Sequence, residues 1–496
     1  MVLADTPRNT GEPAVSPPPR LIVGILAGTG ITVSLAQTLV VPIIGALPDI
    51  FGTSPATASW IITVTLLTGA VSTPVAGRLA DIYGKKPMML VALAPFLVGS
   101  VICAVSTDVL PMILGRGLQG LASGLIPLGI SLIHDLLPRE RAGSAIALMS
   151  SSMGIGGALG LPVAAAVAQF ANWRVLFWVI AAAAAMALLA IWFGIPSLRT
   201  ATTRTRFDYF GAFGLSLGLI ALLLAISKGA DWGWGSPVTI GCAAGAVIVL
   251  LLWGSWELSR RAPLVDLRTA AQPVVLLTNI ASVLIGFTMY AMNLILPQVL
   301  QLPVELGYGL GQTMLQMGLW LAPMGLGMML ISRRGAAISA TRGPRVTLAL
   351  AGVVIAVGYA LAAVVLLTVG DRAPGQDASA AVIVTTLVLL SLSGLVVGCG
   401  IGLAYGSMPA LIMSAVPATE KASANGFNAL MRSLGTTISA AVVGAVLAVM
   451  VTDGVPSQGG FLVALLIGCG SALVAAVIAF AIPEQATPVV TSAAPR

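Results

Sequence analysis

GRLADIYGKKPMML, residues Gly77 to Leu90, lies between two long apolar runs and decides how the chain is read. It holds one carboxylate, Asp81, three cations, Arg78, Lys85 and Lys86, and two spaced glycines, Gly77 and Gly84. Charge this dense at the edge of a hydrocarbon layer is costly unless it is paired or solvated. The stretch therefore reads as a short polar turn between two membrane-spanning helices. The glycines let two backbones come close. Asp81 can accept from the N-terminus of a neighbouring helix, whose dipole favours a carboxylate, while the cations face water. A turn that is basic only because of membrane topology accounts for the lysines, but not for the glycines spaced around Asp81.

Composition places that turn in a polytopic membrane protein. Of 496 residues, 58% are hydrophobic and 8% charged, with a mean hydropathy of +1.02. A soluble domain carries about 25% charged residues. The net charge of +7 does not point to nucleic acid, because the basic residues are scattered over many short loops without interleaved aromatics. Cys103, Cys242, Cys399 and Cys469 all fall in apolar runs and read as small buried residues rather than a disulfide framework. With His134 as the single histidine and no cysteine pair at ligand spacing, no metal or other cofactor is expected.

Residues 1–20 are polar and proline-rich, lack the features of a signal peptide, and are expected to be disordered. From Leu21 onward, apolar stretches long enough to cross about 30 Å of hydrocarbon recur. They centre on residues 21–46, 56–77, 87–106, 109–132, 142–168, 174–194, 208–228, 236–256, 273–300, 308–332, 346–369, 380–412, 422–451 and 459–481, which makes fourteen. Positive charge tests the count. With the N-terminus inside, 20 of the 24 cations fall in cytoplasmic segments, among them Lys421 and Arg432. Arg174, Lys228 and Arg372 fall outside, and Arg116 is expected to be the lone cation within a span. An even number of helices with both termini cytoplasmic follows.

A degenerate repeat is also present. AAISATRGPRVTLAL, Ala336 to Leu350, aligns with the opening stretch: Ala336 on Gly77, Gly343 on Gly84, Arg345 on Lys86, and Ala340 in place of Asp81. The echo pairs spans 2 and 3 with spans 10 and 11. Two six-helix halves separated by two extra helices produce that offset, and repeated halves with a midplane site are a transporter signature. The expected segments are 1–20, a disordered cytoplasmic tail; 21–195, the first bundle; 196–262, two inserted helices; 263–483, the second bundle; and 484–496, a second disordered cytoplasmic tail.

Arg116 sits in LGRGLQG, flanked by Gly115, Gly117 and Gly120, with Gln119 about one turn along. It either faces a cavity, pairs with a buried carbonyl or snorkels. The fifth span contains GIGGALGLPVAAAV, where Gly156 and Gly160 allow close helix contact and Pro162 permits a bend. These patterns carry a family resemblance. G-x-L-A-D-x-x-G-K-K closely resembles the loop between helices 2 and 3 of the major facilitator superfamily. LGRGLQG resembles the helix 4 motif of its drug:proton antiporters, in which the arginine takes part in proton transfer or substrate binding. The fifth span resembles the exporters' antiporter motif, with Gly-Leu-Pro in place of Gly-Pro. NWRVLFW (Asn172–Trp178), FDYFGAFG from Phe207, WGW from Trp232 and APLVDL from Ala262 resemble the fourteen-helix branch.

The resemblance implies an all-α fold of two six-helix bundles plus two inserted helices, and a conformational lock at Gly77, Asp81, Gly84, Lys85 and Lys86. One departure matters. The branch usually carries a proton-binding aspartate in a Leu-Asp-x-Thr pattern in helix 1, and here Leu35-Ala36-Gln37-Thr38 stands instead. Asp49 and Asp135 remain as candidate coupling acids, with solvated helix-end charge as their alternative. Gln37, Arg116 and Gln119, with Tyr290, Asn293 and Gln298 in the ninth span and Gln316 and Trp320 in the tenth, are the candidate substrate or proton pathway; packing or lipid contact is the alternative for each. We expect a monomeric transporter in the bacterial inner membrane, not an enzyme, exporting small amphipathic drugs or antibiotics by proton antiport. Its partners would be a small-molecule substrate, protons and the lipid bilayer, and no nucleic acid. The alternatives are a proton-independent facilitator, a dedicated exporter of one metabolite, an anionic one included, and, remotely, a membrane-embedded enzyme or receptor.

Overall fold

The computed structural model describes residues 18–40, 43, 47–196, 206–260, 262–369, 379–452 and 454–484. Fourteen of its helices are long and apolar enough to cross a membrane. They are α1 (Pro19–Thr38), α2 (Ala56–Tyr83), α3 (Lys85–Val105), α4 (Val109–Leu136), α5 (Arg141–Val167), α6 (Arg174–Gly194), α7 (Tyr209–Trp232) and α8 (Pro237–Ser259), followed by α9 (Pro273–Gln301), α10 (Met314–Arg342), α11 (Pro344–Thr368), α12 (Ala380–Ala415), α13 (Ala418–Val449) and α14 (Gln458–Ala481). At about 1.5 Å per residue each reaches across a bilayer. Positions 1–17 and 485–496 of the expected tails lie outside the described residues, whereas Pro19 and Arg20 already belong to α1.

Side-chain packing sorts the helices into groups. One apolar core joins Leu26, Met89, Phe96, Met112 and Leu125 among α1–α6, and another joins Ile285, Ile355, Tyr359 and Phe461 among α9–α14. The helices α7 and α8 stand apart. Leu215, Leu219 and Leu223 of α7 meet Leu67 and Ala70 of α2 and Leu430 of α13, so this pair leans on the seam between the bundles. Only 11% of the most apolar window of α8 is buried within the protein.

Internal symmetry extends to the turns. Gly84 and Gly343, which end α2 and α10, both have positive φ (99° and 85°), a backbone that costs glycine little. Two residues further on, Lys86 donates to the carbonyls of Trp192 (2.9 Å) and Ile195 (2.6 Å), at the C-terminal end of α6. Arg345 does the same for α14, donating to Phe480 O at 2.7 Å and pairing with Glu484 at 3.2 Å. Each half therefore closes the end of its last helix with a cation from its second turn. Carbonyls left over at a helix C-terminus favour such a cation.

The described basic residues gather at one end of the bundle: Arg20, Arg78, Lys85, Lys86, Arg141, Arg206, Arg260, Arg268, Arg333, Arg334, Arg342, Arg345 and Lys421. We call it the basic end; Arg174 and Lys228 are the described cations of the opposite end. Expected cations at 8, 199, 204, 261, 372 and 496 lie outside the described residues. Arg432 requires a correction. It lies eleven residues inside α13, about 16 Å from Lys421, and is a second intramembrane cation beside Arg116.

Candidate functional site

At the basic end, α2 and α13 meet backbone to backbone. A Cβ on Gly77 would lie 2.6 Å from Ala422 O, and one on Gly426 would lie 2.8 Å from Thr73 O. That proximity brings the Asp81 carboxylate to the first turn of α13, where it accepts from Ala422 N (3.2 Å) and Ser423 N (2.8 Å) while 6% exposed. Free N–H groups and the positive end of the helix dipole together make this an anion site for a side chain. Lys85, also buried, pairs with Asp135 and donates to Ser131 O at 3.2 Å, tying α3 to α4. His134 Nδ1 lies 3.4 Å from Lys421 Nζ. Further along, Ser151 Oγ of α5 donates to Met328 O of α10 at 3.2 Å, and Gly154 leaves room for the Met328 side chain. The contacts of Asp81, His134 and Ser151 thus link α2, α4 and α5 to α13 and α10, starting at the basic end.

Arg116 takes the carbonyl-pairing alternative. It is 2% exposed and donates to Ala36 O (2.8 Å), Gln119 Oε1 (2.7 Å) and Ile61 O (3.3 Å). Gln119 in turn donates to Ser100 Oγ at 2.9 Å, and Thr65 Oγ1 to Arg116 O at 3.2 Å. One guanidinium therefore ties α1, α2 and α4 together, and through Gln119 reaches α3. Its helix 1 partner is the carbonyl of Ala36, the residue that stands at the branch's aspartate position. The fifth-helix glycines act in the same bundle. Gly156 faces Ser34 and Leu35, Gly160 faces Thr38, Ser34 Oγ donates to Met153 O at 2.8 Å, and Pro162 lies within the helix near its far end.

The other candidate residues are not drawn into one cluster. Gln37 is exposed at the end of α1, beside the backbone that Arg116 holds but not bonded to it. Asn293 and Gln298 donate to carbonyls of their own helix, Met289 O (2.9 Å) and Leu294 O (3.0 Å), and Tyr290 is half-buried. Gln316 forms a capping box with Thr313 at the start of α10, so its amide closes a helix. Trp320 donates to Gln312 Oε1 at 3.2 Å. Asp49 is exposed in the short helix Leu47–Phe51, and Asp135 is held by Lys85. Leu264 and Val265, from APLVDL, are buried, and Leu264 N donates to Glu257 Oε2 at 3.0 Å.

The site that sequence reasoning missed surrounds Arg432. Its Nη1 donates to Asn428 Oδ1 at 2.8 Å, and its guanidinium lies 4.9 Å from the centre of the Tyr405 ring. Asn428 Nδ2 donates to Asn279 Oδ1 (2.9 Å) and Ser282 Oγ (2.7 Å), and Tyr405 Oη to Met289 Sδ (3.1 Å). Two signals were legible beforehand. Asn428 and Arg432 are four apart on one helix face, and seventeen residues separate Arg432 from Val449 at the helix end.

Comparison with known proteins agrees with this architecture. The chain is 23% identical to Multidrug resistance protein 3 of Bacillus subtilis over 86% of its own length and 79% of that protein's. It is 28% identical to the fatty acid resistance protein FarB of Neisseria gonorrhoeae over 55% of its length and 54% of FarB. With the uncharacterized MFS-type transporter YhcA of B. subtilis it shares 25% identity over 68% of this chain, and spans 62% of that relative. Among solved structures, the human organic anion transporter MFSD10 (TETRAN) superposes with a TM-score of 0.61, covering 94% of this chain and 100% of that one at 16% identity. The proton:xylose symporter XylE superposes with the same TM-score at 14% identity, over 92% of this chain and 94% of that one. With a family model matching residues 26–440, this fourteen-helix chain belongs to the Major Facilitator Superfamily.

Proposed function

We propose that the chain is a secondary active transporter that exports small amphipathic compounds by proton antiport, working by alternating access in a bacterial cytoplasmic membrane. The observation that carries this is the reversible kind of joint at the basic end. Asp81 holds the first turn of α13 by two backbone N–H bonds at the basic end, bonds that can be exchanged for water, so the bundles can part there and close elsewhere. Residues 21–195 and 263–483 are the moving bundles, and 196–262 rides beside them. The basic end is cytoplasmic by the positive-inside rule, and the transporter acts as a monomer. Multidrug resistance and efflux names among the relatives support export. Arg116 and Gln119 brace the first bundle, and Gly156 and Gly160 let α5 slide on α1.

Coupling rests on Asp135 and Asp49. Loss of the Asp135–Lys85 pair on protonation would loosen α3 from α4 at the basic end. A second reading, a proton-independent facilitator or a dedicated exporter of one metabolite, is favoured by one observation: apart from Glu140, whose side chain is outside the description, each described carboxylate lies within three residues of a helix end, and Ala36 cannot titrate. Transport in proteoliposomes under an imposed pH gradient decides between them. Acceleration by the gradient that Asp135→Asn or Asp49→Asn abolishes supports antiport. Equal rates with and without the gradient, in wild type and in the double variant, establish the facilitator.

A further inference from the structure

We propose that Arg432, presented by Asn428 and stacked on Tyr405, is a carboxylate-binding subsite of this chain, whose ligands are amphipathic molecules with an acidic headgroup. This names a substrate class for the transporter proposed above and rests on that reading.

The first ground is charge. A guanidinium stays protonated at any physiological pH. Among the described residues no carboxylate pairs with Arg432, and its protein partners, an amide oxygen and a ring, are neutral. A charge in the low-dielectric middle of a bundle without a counterion is unfavourable, and an anionic ligand removes that cost.

The second ground is geometry. Only Nη1 bonds to protein. Nε and Nη2 have no protein partner, yet neither is among the fully enclosed unpaired atoms, so both look onto accessible space. Those two nitrogens form one edge of the guanidinium plane, the spacing that receives both oxygens of a carboxylate. Asn279 and Ser282 fix Asn428, and Asn428 fixes the guanidinium, so the edge is already oriented. Arg116 differs: three bonds hold it inside the first bundle and leave it 2% exposed, against 9% for Arg432.

Direction is the third ground. On α13, Phe427, Leu430, Met431 and Leu434 join the apolar cluster shared with α7 and α2, and Gly426 packs on Thr73 of α2. Asn428 and Gly435 face α9. At about 100° per residue, Ala429, Arg432, Ser433 and Thr436 share the remaining face, between the α2 and α9 contacts and away from α7. Each of the four keeps some accessible surface. That face looks toward the seam between the bundles. Met289 and Met408, which touch the cluster through Tyr405 and Ser282, supply adaptable apolar surface for a tail.

The test uses the full chain in nanodiscs and one long saturated alkyl chain carrying a carboxylate, a primary amide or an amine at neutral pH. The acid should bind at least about tenfold tighter than the amide, and the amine most weakly. Arg432→Gln should erase the acid's advantage while leaving amide binding within about twofold. Arg432→Lys keeps charge without the fork and should retain part of it. Should Arg432→Gln fold poorly by thermal melting, Asn428→Asp supplies an internal carboxylate to the unchanged arginine and should erase the preference too. Tightest binding by the amine, an acid preference that survives Arg432→Gln or Asn428→Asp, or no binding by any form overturns the proposal. Binding with the expected preference but no movement of any form across proteoliposomes removes the transport reading and leaves the subsite standing.

Discussion

The two halves use the same turn for two different purposes. After α2 and after α10 the chain turns at a glycine of positive φ, Gly84 or Gly343, and then sends a cation, Lys86 or Arg345, to close the end of α6 or α14. Those shared parts belong to the fold, because each half must satisfy the carbonyls of its own last helix. The difference is Asp81 against Ala340. In the first half the carboxylate crosses to the other bundle and grips the N-terminus of α13; at the pseudo-equivalent joint, α10 meets α5 through the Ser151–Met328 bond and shape. Repetition thus marks structure, and the break in repetition marks the place where a carboxylate of one bundle reaches the other.

The largest expected effect is steric. Gly77→Val should clash with the Ala422 carbonyl and open the α2–α13 joint, at about 1–3 kcal/mol of overpacking. Reaction of a cysteine placed at Ser423 with a water-soluble maleimide should rise about tenfold or more. Ala336→Val, at the aligned position, should leave that labelling unchanged. Equal sensitivity at both positions would break the asymmetry.

Charge removal comes next. Asp81→Asn keeps size but loses the ionic acceptor for two N–H groups, worth about 1.5–3 kcal/mol. Export should slow severalfold at normal expression, while Ala340→Asp, at an exposed position, should gain nothing. Transport rates for the two variants side by side would sharpen the comparison. An unchanged Asp81→Asn would remove the joint's role in switching.

Smaller and symmetric effects should follow from the caps. Lys86→Ala and Arg345→Ala each remove a cation from a helix C-terminus, at about 0.3–1 kcal/mol. Both should lower the melting temperature by a similar, small amount without altering transport. A large difference between the two would mean that the shared turn is not serving the same end in both halves.

The fold was legible because bilayer thickness sets a length that apolar runs must meet, and because basic residues stay on one side of it. The Gly77–Leu90 stretch and its degenerate echo carried even the pairing of the halves. Individual sites were less legible. Arg432 was counted with Lys421 among the cytoplasmic cations, since both are basic and close in sequence, although its register places it well inside α13. Gln316 was read as a cavity amide, and the fold uses it as a helix cap. Arg116 stood as an intramembrane cation, but whether it met a carbonyl or a cavity depended on where α1 and α2 came to lie.

By itself, then, the sequence determined how many times the chain crosses, which end is basic, where the halves repeat and where Asp81 departs from that repeat. All of these are properties of runs and spacings along one chain. Only the tertiary structure decided that Asp81 meets Ala422 and Ser423, that Arg116 is held by the carbonyls of Ala36 and Ile61, and that Arg432 keeps two donors open. In a low-dielectric interior the fate of a charge is set by which backbone groups and side chains other helices bring within hydrogen-bond distance, and residues hundreds of positions apart supply them.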